Sequence, residues 1–449
     1  MSTADAPWHG RRLHLVGVGG AGLSAYARAA HALGAQVTGS DAGDSVYTRA
    51  LASDGVLVPS IGHAAENVPE GEEVEVIYSS AVPEENVERR AARERGLRER
   101  PRAELLSELT ALRRTIAVAG THGKTTTASM LVAALQGAGL DPGWLVGGAV
   151  GPALPNARWT AGEWLVVEAD ESDRSMLFLQ IDIAVLTNVE HDHHATFASL
   201  GVLREAFAAF LANAQQAIVV WERPELLALA GDAAATVVPY DVAGLTLAAG
   251  GSSFRWHDVA VRLQVPGAHN ALNATAALEA ARLAGADASA AAQALTGFRG
   301  AARRFQRLGE SERGAVIYDD YAHHPTEVAA TLAGARTLNA ARLVAVFQPH
   351  LYSRTAMLAP ELGRALAEAD VMLVVDVYPA RERAEEHPGV SGLLVAEAAA
   401  DAAAGRPVYW LPGLDDAERV LRGVLAGGDV CVVMGAGDIE ALGHRLVAR

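Results

Sequence analysis

Short, mostly apolar runs recur along the chain, and polar turns and alanine-rich segments with helical spacing separate them. The clearest runs occupy residues 12–16, 36–40, 74–78, 115–119, 164–167, 181–186, 343–347, 371–375 and 430–434. Apolar runs of this length are typical of strands that are covered on both faces, as in parallel sheets. We therefore predict strands alternating with helices, that is, an α/β fold.

The chain has 449 residues, which is too long for one hydrophobic core. The strand pattern falls into three segments, and we predict domains at residues 1–104, 105–299 and 300–449. The first and third read as Rossmann-like domains, and the second as a central ATPase domain of the P-loop type. Near the end of the first domain, the run 88–102 mixes acidic and basic residues and predicts a solvated helix face.

Composition narrows the classes of function. The formal net charge of −16 disfavours nucleic-acid binding, and the single cysteine, Cys431, excludes an internal disulfide. Apolar runs long enough to span a membrane and an export signal are both missing, so we expect a soluble cytoplasmic protein without membrane insertion.

The segment Gly120-Thr121-His122-Gly123-Lys124-Thr125-Thr126-Thr127 follows the apolar run 115–119 and precedes a helical pattern. A glycine turn between a strand and a helix exposes backbone amides to a phosphate. Lys124 is then expected to reach the β- and γ-phosphates, and the Thr125 hydroxyl to sit at Mg²⁺. Lys124 is also the only lysine in the chain. Val118 replaces the first glycine of the usual pattern.

A second glycine turn follows the first strand. Gly17, Gly19 and Gly22 fit a dinucleotide fingerprint, and Asp41 ends the next strand, where a ribose hydroxyl is met in such domains. This motif is weak evidence, because any nucleotide diphosphate satisfies the same geometry. An NAD-dependent oxidoreductase is therefore one alternative, but it leaves Lys124 unexplained.

Acids and histidines follow two strands of the central segment. The run 164–167 delivers Glu168, Asp170, Glu171 and Asp173, and the run 181–186 leads to the sequence 187–194, which contains three histidines. Carboxylates at the ends of strands beside a phosphate loop suit a Mg²⁺–nucleotide site. Zinc is disfavoured, because the neighbouring donors are hard oxygens and cysteine is missing there.

These pieces favour an ATP-driven joining of two substrates. A carboxylate and an amine do not condense in water without activation. Transfer of a phosphoryl group to the carboxylate gives an acyl phosphate, which the amine then attacks. Phosphoryl transfer asks the protein mainly for positioning and charge neutralisation.

The order of motifs resembles the Mur ligase family. The matching segments are residues 17–22, 120–127, 168–173, 187–193, 269–273, 303–306, 319–327 and 347–350. The His-His-Pro and Phe-Gln-Pro-His segments resemble the branch of the family that joins L-alanine to UDP-N-acetylmuramate.

The resemblance implies UDP-N-acetylmuramate in the first domain, ATP with Mg²⁺ in the second, L-alanine at the third, and a monomer or homodimer. It assigns the metal to Thr125, Glu168 and His193, and the adenine to Asn270 and Asn273. It places Arg304 and Asp320 at the nucleotide, and His323, His350 and Arg354 near the amino acid. Around the UDP moiety it places Gly19, Gly22, Asp41, His63 and Ser79.

Two departures from the family pattern bear on specificity. The usual Asp-His-Met-Asp ends here in Ala195, and the usual Pro-His-Arg ends in Leu351, which removes a substrate-side arginine. Two further alternatives thus stay open. One is a recycling ligase that adds a whole tripeptide to the same sugar nucleotide, and the other is a weakly catalytic paralogue that binds nucleotide and UDP-sugar.

Overall fold

The structure is a computed structural model that describes residues 6–151, 154–194 and 196–448. It divides into two compact units. The first comprises Met1–Asp241 with Asn273–Ala294, and the second Val242–Leu272 with Leu295–Arg449.

The first unit begins with a parallel sheet in the order β3-β2-β1-β4-β5. Its strands are β1 (Arg12–Val16), β2 (Gln36–Asp41), β3 (Ser60–Ile61), β4 (Val74–Tyr78) and β5 (Arg98–Pro101). Its helices are α1 (Ala21–Ala32), α2 (Val46–Ser53), α3 (Val87–Glu94) and α4 (Arg102–Ala111). The strand order reverses at β1, so the glycine turn after β1 lies at a topological switch point, where such sheets bind ligands.

A seven-stranded sheet follows in the order β12-β11-β10-β6-β9-β7-β8. Its strands are β6 (Arg114–Ala119), β7 (Gly143–Leu145), β8 (Ala157–Arg158), β9 (Trp164–Glu168), β10 (Ile181–Leu186), β11 (Ala214–Trp221) and β12 (Thr236–Tyr240). Its helices are α5 (Lys124–Gly137), α6 (Leu200–Ala212) and the short α7 (Pro224–Leu227), and α8 (Ala268–Leu283) and α9 (Ala288–Leu295) come later in the chain.

Strand β6 lies at the centre of this sheet, between β9 and β10. The four residues 116–119 have no exposed surface, as expected for a strand covered on both faces. In the register, Val118 of β6 is aligned with Glu168 of β9 and with Val185 of β10. The loops that follow these three strands therefore leave the sheet side by side.

The second unit contains a small antiparallel sheet of β13 (Ala243–Ala248), β14 (Gly251–Trp256) and β15 (Val259–Leu263). A larger sheet has the order β16-β17-β21-β18-β19-β20, in which only β16 is antiparallel among the described strands. Its strands are β16 (Gln306–Glu310), β17 (Val316–Asp320), β18 (Leu343–Phe347), β19 (Val371–Val374), β20 (Val408–Trp410) and β21 (Val430–Met434). Its helices are α10 (Pro325–Arg336), α11 (Tyr352–Leu366), α12 (Gly392–Ala402), α13 (Leu414–Val424) and α14 (Glu440–Leu446).

The prediction for residues 88–102 was wrong. This run is not one solvated helix, because it forms nearly all of α3, then the strand β5, and the first residue of α4. Glu88 and Arg100 are buried, and Arg100 pairs with Glu75, Glu104 and Glu108 at 2.6–2.8 Å. Part of the mixed charge in this run therefore marks buried ion pairs, and most of the remaining charged residues are exposed.

Candidate active site

The loop between β6 and α5 contains two glycines with positive φ, Gly120 at 134° and Gly123 at 80°. A Cβ atom on Gly120 would lie 2.1 Å from Thr187 Oγ1, and one on Gly123 would lie 2.6 Å from Asn273 Oδ1. Both positions therefore need glycine on conformational and on steric grounds.

The loop after β10 holds this phosphate loop from one side. The amide of His122 donates to Asn188 Oδ1 at 2.9 Å, and the Thr187 hydroxyl donates to the carbonyl of His122 at 2.7 Å. The Thr121 hydroxyl donates to the carbonyl of Glu190 at 3.0 Å and accepts from its amide at 2.9 Å. These bonds fix the conformation of the loop before any phosphate binds.

Lys124 opens α5, and its ammonium group contacts the buried carboxylate of Glu171. The distances from Nζ to the two carboxylate oxygens are 2.8 and 3.1 Å, and Nζ also donates to the carbonyl of Gly120 at 2.6 Å. Burial alone would lower the pKa of Lys124, but the charges of Glu171, Asp170 and Glu168 outweigh it and raise that pKa. Lys124 is thus a permanent cation at the phosphate loop.

Thr125 and Glu168 form a second pair at the same loop. The Thr125 hydroxyl donates to Glu168 Oε1 at 2.9 Å, and the amide of Gly147 donates to Oε2 at 2.7 Å. Glu168 is therefore held in place at the end of β9.

Asp170, Glu171 and His193 offer ligand atoms that all lie within 4.8 Å of one another. His193 Nε2 lies 3.4 Å from Glu171 Oε1, and the backbone of His193 has a positive φ of 52°. Burial lowers the pKa of His193, yet hydrogen bonding to Glu171 and the charge of Asp192 outweigh it and raise the pKa. Carboxylate oxygens fit a hard divalent cation such as Mg²⁺.

Two of the predicted metal ligands, Thr125 and Glu168, thus contact each other, and His193 contacts Glu171. Glu171 and Asp170 were noticed in the sequence as strand-end acids suited to a Mg²⁺–nucleotide site, but the resemblance assigned the metal to other residues. Glu171 lies in the acidic run that follows β9, and β9 is paired with β6, the strand that leads to Lys124. This placement is the signal in the sequence that could have identified Glu171.

At the first glycine turn, the carboxylate of Asp41 accepts a hydrogen bond from the amide of Gly19 at 2.7 Å and another from the amide of Gly43 at 3.2 Å. A Cβ atom on Gly19 would lie 2.8 Å from that carboxylate. Asp41 therefore lies against the turn itself, where its carboxylate occupies a backbone amide that the diphosphate of any nucleotide would approach. Ser79 lies beside Gly17 and accepts from the amide of Ala81 at 3.3 Å.

His63 belongs to a buried cluster around Glu88. The carboxylate of Glu88 contacts the side chains of His14, Ser40, His63 and Asn67 at 2.6–3.0 Å and the amide of Ala64 at 3.3 Å. Burial alone would raise the pKa of Glu88, but these hydrogen bonds outweigh it and lower the pKa to about 2. Glu88 thus fixes the position of His63, which the family resemblance places near the UDP moiety.

We expect Glu88→Gln to lower the free energy of unfolding by about 3 kcal/mol at pH 7, since the buried donors lose an ionised acceptor. The folded-state pKa of about 2 lies below the ordinary value of 4.5. The stabilisation is therefore full above pH 4.5 and is lost as the pH falls towards 2. Urea denaturation at pH 7 and pH 3 measures it, with exposed Glu85→Gln as control. A difference between wild type and Glu88→Gln that stays constant with pH would contradict this role.

In the second unit, Asp320 ends β17 and is buried, and its carboxylate accepts from the amides of Phe305 and Ala322, each at 2.7 Å. Burial outweighs the charge of Arg304 and raises the pKa of Asp320 to about 6. The guanidinium of Arg304 lies 5.1 Å from the ring centroid of Tyr321.

His323, His350 and Arg354 come together in the same unit. The two imidazole rings are 6.0 Å apart, and Arg354 Nη1 donates to His350 Nδ1 at 3.2 Å. Leu351, at the start of α11, has a φ of 68°, a strained value for a non-glycine residue. Ala195, the other departure from the family pattern, lies outside the described residues.

The predicted adenine contacts fall at the start of α8. Asn270 is buried and donates from Nδ2 to the carbonyl of Pro266 at 2.7 Å. Asn273, one turn later, is also buried and lies against Gly123 in the first unit. The structure therefore places Asn273 at the phosphate loop, whereas Asn270 belongs to the second unit.

The α/β sheets and the phosphate loop with its paired lysine define a nucleotide-dependent enzyme. Three family models match successive parts of the chain. They are described as "Mur ligase family, catalytic domain" at residues 12–114, "Mur ligase middle domain" at 118–281 and "Mur ligase, glutamate ligase domain" at 303–437. The chain belongs to the Mur ligase family, and the predicted α/β fold class with three domains is confirmed.

Two relatives are similar over nearly the whole length, and both are named UDP-N-acetylmuramate–L-alanine ligase. The protein from Rubrobacter xylanophilus is 43% identical over 451 residues, covering 98% of this chain and 100% of the relative. The protein from Rhodococcus jostii is 40% identical over 497 residues, covering 99% and 97%.

Two solved structures are similar across 97% of this chain and 98% of their own. The UDP-N-acetylmuramate–alanine ligase of Thermotoga maritima has a TM-score of 0.82 at 26% identity, and a murein peptide ligase of Psychrobacter arcticus has 0.73 at 25%. Among the described residues, no helix is long and apolar enough to cross a membrane.

Proposed function

We propose that this chain joins L-alanine to the carboxylate of UDP-N-acetylmuramate with hydrolysis of ATP to ADP and phosphate. The observation that carries the proposal is the full-length similarity, at 40–43% identity, to relatives named for that reaction. The phosphate loop with Lys124 supports the use of ATP.

The reaction follows from the chemistry of the substrates. A carboxylate oxygen of the sugar attacks the γ-phosphorus of ATP, and ADP leaves. The amine nitrogen of L-alanine loses a proton and attacks the acyl carbon, and inorganic phosphate leaves as the amide bond forms. No side-chain nucleophile is needed, because the protein neutralises and orients the phosphates.

In this proposal Lys124 neutralises charge on the β- and γ-phosphates, and the amides of residues 120–123 orient them. Asp170, Glu171 and His193 would hold Mg²⁺, with Thr125 and Glu168 as further donors. Bound Mg²⁺ supplies Lewis-acid neutralisation of the phosphate oxygens. Asp320 and Arg304 act at the nucleotide, and His323, His350 and Arg354 recognise the amino acid.

We assign UDP-sugar binding to residues 1–104, ATP binding to 105–299 and amino-acid binding to 300–449. Gly19, Gly22, Asp41, His63 and Ser79 serve the first of these sites, and Asn270 and Asn273 serve the adenine of ATP.

The proposal is tested by phosphate release from ATP with UDP-N-acetylmuramate and either L-alanine or the tripeptide L-alanyl-γ-D-glutamyl-meso-diaminopimelate. We expect release with L-alanine, and mass spectrometry of the product should show one added alanine. Release with the tripeptide alone would instead identify a recycling ligase. Release with neither amine would identify a nucleotide-binding paralogue.

A further inference from the structure

Arg102 lies between two sites of the first unit, the glycine turn of the first sheet and the acidic loop after β9. The proposed function gives these two sites separate roles. Its Nε atom donates to Asp173 Oδ2 at 2.6 Å, and both side chains are 14% exposed. Its Nη1 atom occupies the space beside Gly22, where a Cβ atom on the glycine would approach it to 2.4 Å. One guanidinium group therefore contacts the glycine turn of the first sheet and the acidic loop after β9.

The acidic loop also reaches the phosphate loop. Within its six residues 168–173, Glu168 accepts from Thr125, Glu171 pairs with Lys124, and Asp173 pairs with Arg102. Asp173 is fixed further by the amide of Ser175, which donates to its Oδ1 at 3.0 Å. A short, hydrogen-bonded segment thus connects Arg102 to the carboxylate that holds Lys124.

Arg102 keeps its positive charge in this environment. Burial lowers its pKa, but the neighbouring Tyr26, Asp173 and Asp170 outweigh burial and raise it. An arginine fork can contact a carboxylate with one edge and a phosphate with another, which a lysine cannot do in the same geometry.

We propose that Arg102 is a positioning residue that binds the diphosphate of the UDP-sugar while it remains paired with Asp173, and so couples UDP-sugar binding to the phosphate loop. This inference rests on the proposed function, because it takes the diphosphate to lie at the Gly19–Gly22 turn. It adds a residue that the motifs do not include, since Arg102 stands in a run that the sequence predicts to be solvated.

The test uses the full chain and measures two quantities by calorimetry. The first is the Kd of UDP-N-acetylmuramate without nucleotide, and the second is the ratio of the Kd values of a non-hydrolysable ATP analogue without and with the UDP-sugar. In the wild type we expect that ratio to exceed about 5, a typical size for coupling between sites.

Arg102→Met is expected to weaken UDP-sugar binding by about tenfold or more and to bring the ratio to about 1. Arg102→Lys keeps the charge but lacks the planar guanidinium group with its several donors. Compared with Arg102→Met, it should therefore recover part of the UDP-sugar affinity and little of the coupling. Asp173→Asn keeps Arg102 and loosens its attachment, so UDP-sugar affinity changes less than in Arg102→Met while the coupling falls.

Arg28→Met is the matched control, because Arg28 lies on α1 and pairs with Asp54 at 2.6 Å away from the acidic loop. It should leave both quantities unchanged. A purely structural ion pair would lower the melting temperature in Arg102→Met and Asp173→Asn alike and leave the UDP-sugar Kd within twofold of wild type. That result would overturn the inference, as would an unchanged ratio in Asp173→Asn.

The two proposals fail in different ways. If the wild type binds UDP-N-acetylmuramate and ligates L-alanine but Arg102→Met binds equally well, only the role of Arg102 is wrong. If the wild type does not bind UDP-N-acetylmuramate, the proposed function and the role of Arg102 both fall.

Discussion

Lys124→Ala is expected to lower kcat at least about 10³-fold while the protein remains folded. Lys124 is the only lysine of the chain, and its charge is maintained by three neighbouring carboxylates. Without it, the phosphoryl group in transfer loses the positive charge of the ammonium group. Phosphate release at saturating ATP, UDP-N-acetylmuramate and L-alanine measures the effect.

The same substitution has a second consequence, since Glu171 is fully buried and loses the cation that contacts it. We expect a loss of about 3 kcal/mol in the free energy of unfolding. The double variant Lys124→Ala/Glu171→Gln should recover most of that stability without recovering turnover. If the double variant regained activity, the catalytic effect of Lys124 would be indirect, and if Lys124→Ala kept wild-type rates, the mechanism would be wrong.

Gly120→Ala is expected to have the second-largest effect. The added methyl group would lie 2.1 Å from Thr187 Oγ1 and 3.0 Å from the backbone N and O of Asn188, at a residue whose φ is +134°. To relieve these close contacts, Thr187 and Asn188 must move, and this breaks the hydrogen bonds that hold His122. We expect the KM for ATP to rise at least about tenfold and stability to fall by about 2–3 kcal/mol.

Gly148→Ala is the control for that substitution. Gly148 has room for a methyl group, because the nearest atom is Thr125 Cγ2 at 3.6 Å, and its φ is not in the left-handed region. It should leave the KM for ATP and the melting temperature close to wild type. Equal effects of the two substitutions would mean that the strained conformation at Gly120 is not what shapes the loop.

The position of the phosphate loop could be predicted from sequence, because parallel strands place their following loops at one edge of a sheet. That rule brings Lys124 near the acids after β9 and the polar segment after β10, and the register of Val118 with Glu168 agrees with it. Which acid pairs with Lys124 could not be predicted. Glu168, Asp170 and Glu171 are near in sequence, and the choice depends on backbone turns that hydropathy does not encode.

For the run 88–102, the burial of charged side chains could not be predicted from sequence. Charged residues are usually exposed, and a pattern of residue types does not reveal their partners. Glu88 is buried because His14, Ser40, His63 and Asn67 all supply donors, and these come from β1, β2 and the segment after β3. Arg102 is half-buried because Asp173 lies opposite it, 71 positions later in the chain.

The contact between Lys124 and Glu171 makes the active site unusually easy to observe by spectroscopy. Protein grown with lysine labelled with ¹⁵N only at the side-chain nitrogen carries the label at a single atom, so its NMR spectrum contains one ammonium signal that needs no assignment. When phosphate oxygens replace Glu171 as partners of the ammonium group, that signal must change. Nucleotide occupancy of this enzyme can thus be followed in solution through one atom.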